Sequence, residues 1–131
     1  MTWIRVAALL FLIAQSACVQ AHLTLRVALP ALLADVQKYD SRDVQTGGYA
    51  LETSSGLMLF FSEEDARHRM DINGIFLEID TSDEEGRDLL SRARSNYVVV
   101  SGRFEALGAG AGILRGVDSV VVHVDEGLAG E

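Results

Sequence analysis

The chain has 131 residues, of which 49% are hydrophobic, and this is enough apolar material for one domain with a single core. Acidic residues outnumber basic ones by 19 to 11, and the net charge of −8 argues against nucleic acid as a partner, because contacts to phosphates are made mainly by lysine and arginine. The single proline and the twelve glycines favour a small, mainly β fold over a helical bundle.

The N-terminus has the three-part pattern of a secretory signal peptide, which we predict over residues 1–21. Met1–Arg5 carries one positive charge, Val6–Ala14 is an unbroken apolar run, and small and polar residues follow it. A membrane span needs about 20 predominantly apolar residues, and this run meets Gln15 and Ser16 too early to be one. The chain is therefore predicted to be exported.

Two ends of this leader compete. Val19–Ala21 has small residues at both positions that an ordinary leader peptidase reads, and cleavage there would make His22 the first residue. Alternatively, Ser16–Cys18 resembles the end of a bacterial lipobox, with Gln15 where that motif usually has leucine, and Cys18 would then be lipidated. The predicted location is the periplasm or the cell exterior, and a membrane would be contacted only through the leader or a lipid anchor.

Residues 22–131 are predicted to form one domain without a disulfide, because Cys18 is the only cysteine. Leu29–Val36 has helical spacing and a proline suited to a first helical position. The first strand is predicted over Val44–Glu52, and the small polar residues of Thr53–Gly56 indicate a hairpin loop. The second strand, Leu57–Phe61, is apolar on both faces.

Two serines followed by acids indicate helix starts: Ser62 before one short helix, and Ser82 in a capping box with Glu85 before a second. The third strand lies between these helices and has the cleanest alternation in the chain. Its two faces carry Ile75, Leu77 and Ile79 on one side, and Phe76, Glu78 and Asp80 on the other.

The fourth strand is predicted over Asn96–Ala106 and contains Gly102, where a strand would normally have a side chain. The spacing of Val98, Val100 and Gly102 repeats that of Val44, Thr46 and Gly48, so these two strands are predicted to pair and curl together. A last strand starts at Ile113 or Val117 and ends at Val124. Five strands, with a helix between strands 3 and 4 and a short N-terminal helix, predict a mainly β, five-stranded OB-like Greek-key barrel.

Several runs of the chain carry a resemblance to a known group of proteins. They are D-V-Q-T-G-G-Y-A-L, S-E-E-D-A-R-H-R, G-I-F-L-E-I, Y-V-V-V-S-G-R-F-E-A and L-R-G-V-D-S-V-V-V. In these runs, residues 29–124 resemble small, uncharacterised exported bacterial proteins of OB-fold type. The resemblance implies the fold and export, and it implies no activity for any residue.

No metal, cofactor or catalytic site is predicted. The three histidines, His22, His68 and His123, are scattered, without close ligand-type neighbours. The acidic clusters sit at helix starts, where capping and the helix dipole explain them. The glycines of Leu107–Gly112 lie between two strands, which indicates a flexible hairpin loop rather than a phosphate-binding one.

The remaining candidate is the generic ligand surface of an OB barrel, formed by strands 2 and 3 and two loops, Thr53–Gly56 and Leu107–Gly112. The candidate contact residues on this surface are Phe60, or alternatively Phe61, together with Phe76, Glu78 and Arg103. Aromatic rings on such a face can stack on a ligand.

Two functions fit this pattern. The first is a non-catalytic exported binding module that recognises a protein or a small ligand of the bacterial cell envelope. The alternative is a small, nuclease-like hydrolase on an OB-type barrel, which would need Asp80, Arg87 and Arg103 to converge at one rim. No recognisable reaction motif contains these three residues, so an enzyme is the less favoured prediction.

Overall fold

The structure is a computed structural model, and it describes residues 23–123. The predicted leader, the candidate lipidation site Cys18, His22 and the predicted strand end at Val124 lie outside the described residues. Within these described residues there are six strands and four α-helices. The strands are β1 Leu25–Arg26, β2 Arg42–Thr53, β3 Gly56–Phe60, β4 Gly74–Leu77, β5 Asn96–Gly108 and β6 Ala111–Val122. The helices are α1 Leu29–Ala34, α2 Val36–Tyr39, α3 Glu63–Arg67 and α4 Glu84–Ala93, with a 3₁₀ turn at Asp71–Asn73.

Five of the strands close into a barrel. Hydrogen-bonded neighbours follow the order β2-β3-β4-β6-β5, and β5 pairs with β2 to complete the circle. The contact between β4 and β6 is parallel and short, whereas the other pairings around the barrel are antiparallel. The two-residue β1 adds to the outer edge of β2. With α4 between β4 and β5, this is the OB-like barrel that the sequence predicts, and the predicted fold class is confirmed.

The predicted pairing of the two glycine-containing strands is also confirmed. Their antiparallel register is reciprocal, because Gly48 lies opposite Val98 and Gly102 lies opposite Val44. A Cβ atom at Gly48 would overlap the carbonyl oxygen of Phe60 in the neighbouring β3. A Cβ atom at Gly102 would lie 2.7 Å from the carbonyl oxygen of Arg115 in β6. Each glycine therefore marks a place where the curling strand approaches its next neighbour too closely for a side chain.

The core fills the barrel and extends under two helices. Alternate residues of β2 and β5 point inward, and the helices α1 and α4 contribute one apolar side each. The fully buried members with the largest side chains in this core are Leu29, Leu32, Leu59, Ile75, Phe104 and Leu114. The helices thus cover barrel surface that the strands alone would leave exposed.

The start of α3 agrees with the sequence prediction, whereas the start of α4 does not. The Ser62 hydroxyl accepts a hydrogen bond from the Asp65 backbone N–H, as predicted for the N-cap of α3. At α4 the prediction that Ser82 caps the helix is wrong. Asp83 is the N-cap, and its carboxylate accepts a hydrogen bond from the Gly86 N–H at 2.8 Å. The Ser82 N–H instead donates to the Asp80 carboxylate, so Ser82 belongs to the turn before the helix.

Thr46 is a buried polar residue of the barrel interior whose hydroxyl has no hydrogen-bond partner, and the residue is only 2% exposed. Replacing Thr46 with valine keeps the shape and removes the unsatisfied group, so we expect a gain of about 1 kcal/mol in the free energy of unfolding. Chemical denaturation would measure it. Thr53→Val is the matched control, because the Thr53 hydroxyl donates to the Gly56 carbonyl, and its loss should destabilise the domain. A destabilised Thr46→Val variant would contradict the unsatisfied state of this hydroxyl.

Candidate functional site

The strand β3 divides its apolar side chains between two clusters. Leu57 and Leu59 belong to the barrel core, whereas Met58 and Phe60 point outward and form a second cluster with Ala66 of α3. Phe60 is fully buried there, which removes it from the surface residues that a ligand could contact. Phe60 is buried because α3 packs on the outer face of β3. The inner face of this strand is covered by the barrel core, so both of its apolar faces are buried.

An apolar groove lies beside this cluster, where β4 leaves β3. Phe76 is half-buried, packs against the second cluster and contributes to the groove, whose volume is about 360 Å³. The β2–β3 turn supplies Ser55 and Gly56 to its rim. The apolar side chains that line the groove are Leu57, Phe76, Leu77, Ile79, Leu90 and Ile113. Of the predicted contact residues, the structure therefore brings Phe76, Glu78 and part of the Thr53–Gly56 loop together here.

The groove exists because a strand ladder ends early. The pairing of β3 with β4 runs from Phe60–Gly74 to Met58–Phe76 and stops there, although β3 begins at Gly56 and β4 continues to Leu77. Beyond that point the chain of β4 follows β6 instead, and the Glu78 N–H donates to the Leu114 carbonyl. Gly56 and Leu57 thus have no pairing partner in β4, and the space between the diverging segments is the groove.

Two carboxylates stand at the groove, and arginines hold each of them. Glu52 lies near the end of β2 and pairs with Arg94 at 2.9 Å. Glu78 pairs with Arg115 of β6, whose Nε donates at 2.5 Å to Glu105 of β5. The hydrogen bonds from Arg115 to Glu105 and then to Glu78 raise the pKa of its guanidinium, so Arg115 keeps its charge throughout the normal pH range. Of these charged side chains, the two carboxylates Glu52 and Glu78 line the groove itself.

Arg103 lies in a different place from the other predicted contact residues. It is exposed on β5, opposite Arg115 in the strand register, and it lines a separate polar depression of about 220 Å³ with Asp43 and Asp118. Arg103 does not line the apolar groove. The strand register shifts beside Arg103, between Ser101 and Arg103, and Gly116 of β6 has a positive φ there.

The three residues that a hydrolase would need do not form a common rim. The Asp80 carboxylate accepts from the backbone N–H of Ser82, and this bond, helped by the Ser82 side chain, lowers the pKa of Asp80 from its ordinary value. Arg87 donates to the backbone carbonyl of Thr81 at 3.3 Å. Arg103 lies in the polar depression, and the Asp80 carboxylate is engaged in the local turn with Ser82.

The described histidines take part in different local structures. His68 caps the C-terminus of α3, and the His123 N–H donates to the Tyr97 carbonyl. Within residues 23–123, no group of three or more His, Cys, Asp or Glu side chains is placed to hold a metal ion. In the same range, every helix is too short or too polar to cross a membrane.

Sequence reasoning missed six residues of the groove: Glu52, Leu57, Leu77, Ile79, Leu90 and Ile113. Each was assigned to a predicted strand or helix, but alternation of apolar and polar residues does not show where a ladder between two strands ends. Gly56 was the available signal, because a glycine at the start of a strand marks a place where regular pairing can fail.

No protein-family model, no curated protein and no solved structure matches this chain. The barrel and its groove are therefore the basis for assigning a class. They define a small closed β-barrel with an apolar groove whose rim carries arginine-paired carboxylates.

Proposed function

We propose that this chain is a non-catalytic binding module of the bacterial cell envelope and that its partner or ligand binds in the groove between β3, β4 and α4. The observation that carries the proposal is the groove itself. Phe76, Ile79 and Ile113 leave apolar surface accessible there, next to strand backbone that lacks a neighbour. An apolar concavity with a few fixed polar groups is the usual form of a binding site.

The charged groups of the groove support binding rather than acid–base chemistry. A general acid or base must lie within hydrogen-bond reach of the proton it transfers. Glu52 and Glu78 each direct their Oε2 atom to an arginine, so the structure gives both carboxylates a charge partner rather than a group that exchanges a proton. The hydrolase alternative has no comparable support, because Arg103 lines the polar depression whereas Asp80 and Arg87 belong to the turn before α4 and to its first turns.

Export to the envelope is the second part of the proposal. It is supported by the positively charged start, the apolar run and the small residues that precede His22, and by the resemblance to small exported bacterial proteins of OB type. The alternative end of the leader would place a lipid on Cys18 and tether the barrel to a membrane surface. In both forms the groove belongs to residues 23–123 and remains the proposed contact surface.

The proposed function is tested by comparing the capture of envelope components by groove variants. The full chain is immobilised and exposed to an envelope extract, and each variant is corrected for its folded fraction from a thermal melt. Phe76→Ala and Leu90→Ser should each reduce the captured partner at least about fivefold, because both remove apolar contact area. Leu107→Ser is the matched control, since Leu107 is 49% exposed on β5 and does not line the groove.

Two results would contradict the proposal. One is capture that survives both groove substitutions unchanged. The other is a pair of results: Phe76→Ala loses capture only in proportion to its loss of folded protein, and Leu90→Ser loses no capture. Phe76 would then act only by stabilising the fold, through the second cluster with Met58 and Ala66.

A further inference from the structure

We infer that the groove binds a short extended peptide segment in which an apolar side chain is flanked by lysine or arginine. This inference rests on the proposed function and names the chemical class of the partner. It follows from three features of the groove: its apolar floor, its incomplete strand ladder and the excess of carboxylates around it.

The apolar floor of the groove is the surface on which the apolar side chain of the peptide would pack. Phe76 and Ile113 are register partners on adjacent strands, so their half-buried side chains form a continuous apolar strip. Leu90 of α4 and Leu57 of β3 also line the groove and extend its apolar surface. A volume of about 360 Å³ is at the lower end for ligand pockets, which suits one or two side chains rather than a large cofactor.

The incomplete β3–β4 ladder is the reason that the bound peptide is inferred to be extended. Gly56 and Leu57 belong to β3 and have no partner in β4. An extended peptide can add to such an unpaired strand segment, where main-chain hydrogen bonds provide affinity and neighbouring pockets read alternate side chains. Gly56 has no side chain to block this approach, and the space where its Cβ would lie is open.

The charges account for the cationic flanks. Glu52 and Glu78 line the groove, whereas Arg94 and Arg115 approach these carboxylates from outside it. The Glu52 and Glu78 side chains are each 51% exposed, and each uses its Oε2 atom in the ion pair with its arginine. An ionised carboxylate can accept from a second cation through its other oxygen. Exposed ion pairs are also weak enough to rearrange at little cost.

The charged side chains that line the groove have the same sign as the net charge of the whole chain. They are two carboxylates, Glu52 and Glu78, whereas Arg94 and Arg115 lie outside the lining. The chain as a whole carries −8. A negative field of this kind attracts cationic segments and repels acidic ones, and added salt weakens the effect.

Three labelled hexapeptides test the inference by fluorescence anisotropy with the full chain. They share alternating leucine and phenylalanine residues and differ only in the intervening residues, which are lysine, glutamine or glutamate. The lysine peptide should bind at least about tenfold more tightly than the glutamine peptide, and the glutamate peptide most weakly of the three. In 0.5 M NaCl the advantage of lysine over glutamine should fall to about threefold or less.

Variants separate the charge effect from the apolar one. The double variant Glu52→Gln with Glu78→Gln should lose the preference for lysine and still bind the glutamine peptide. Phe76→Ala should weaken all three peptides. The double variant Glu63→Gln with Glu64→Gln is the charge-matched control, because both residues lie in the first turn of α3 and outside the groove. It should leave the preference for lysine unchanged.

The outcomes distinguish this inference from the proposed function. Equal affinity for the lysine and glutamine peptides, a preference for glutamate, or no peptide binding up to millimolar concentration would overturn the inference. A preference for lysine that survives the double glutamine substitution would also overturn it. None of these results would change the capture of envelope components by the groove. If groove variants do not affect that capture, the proposed function fails by its own test.

Discussion

Replacing Gly86 with alanine is expected to destabilise the domain by about 3 kcal/mol, the cost of forcing atoms into a filled space. Gly86 is the third residue of α4, where the same substitution would ordinarily stabilise a helix by about 1 kcal/mol. The sign is reversed here because a Cβ atom at Gly86 would overlap the backbone carbonyl of Asp80. The turn that contains Asp80 would have to move away from the helix.

Urea denaturation of Gly86→Ala beside Ser91→Ala would measure this effect. Ser91 is exposed in the same helix, so its replacement should gain a few tenths of a kcal/mol from helix propensity alone. If Gly86→Ala is as stable as the unsubstituted chain, the turn at Asp80 does not pack on α4 as described.

Gly102→Val is expected to cost about 3 kcal/mol in the free energy of unfolding, because a branched side chain would enter a packed corner of the barrel. A Cβ atom at this position lies 2.7 Å from the Arg115 carbonyl oxygen and 2.9 Å from the Leu114 Cγ atom. The first of these neighbours is backbone, so relieving the overlap requires β5 and β6 to separate locally.

Ser101→Val is the control that separates the effect of the close approach at Gly102 from the effect of placing valine in this strand. Ser101 adjoins Gly102 on β5 and points to the outer face, where a β-branched side chain is compatible with a strand. Melting temperatures that fall equally for the two variants would show that the loss comes from the strand in general and not from the close approach at Gly102.

Much of the barrel was accessible from the sequence, for physical reasons that particular residues illustrate. Alternation in β4 reflects a strand with one buried side, and Ile75 and Leu77 are indeed buried. The repeated spacing that ends in Gly48 and Gly102 marked the two strands that pair. Both glycines lie where a neighbouring strand comes too close for a side chain. Local patterns of this kind report the environment that each strand meets.

The site was less accessible, because it depends on relations between distant segments. Phe60 was an equal candidate with Phe76 by pattern, yet α3 covers one ring and leaves part of the other accessible. The N-cap of α4 shifted from Ser82 to Asp83 because Asp80 binds the Ser82 N–H. Neither the position of α3 over β3 nor the end of the β3–β4 ladder leaves a periodic signal in the sequence.

The way in which this barrel ends its strands also affects its tendency to aggregate. Unpaired strand edges act as templates on which other chains can add. At β5 the Asp40 carboxylate accepts from the Ala106 N–H, and at β6 the Arg92 side chain donates to the Val120 carbonyl. Side chains thus occupy backbone groups that a neighbouring molecule would otherwise use, which disfavours edge-to-edge stacking at high local concentration. Gly56 and Leu57, at the start of β3, are left as an edge of two residues, which is too short to nucleate a sheet.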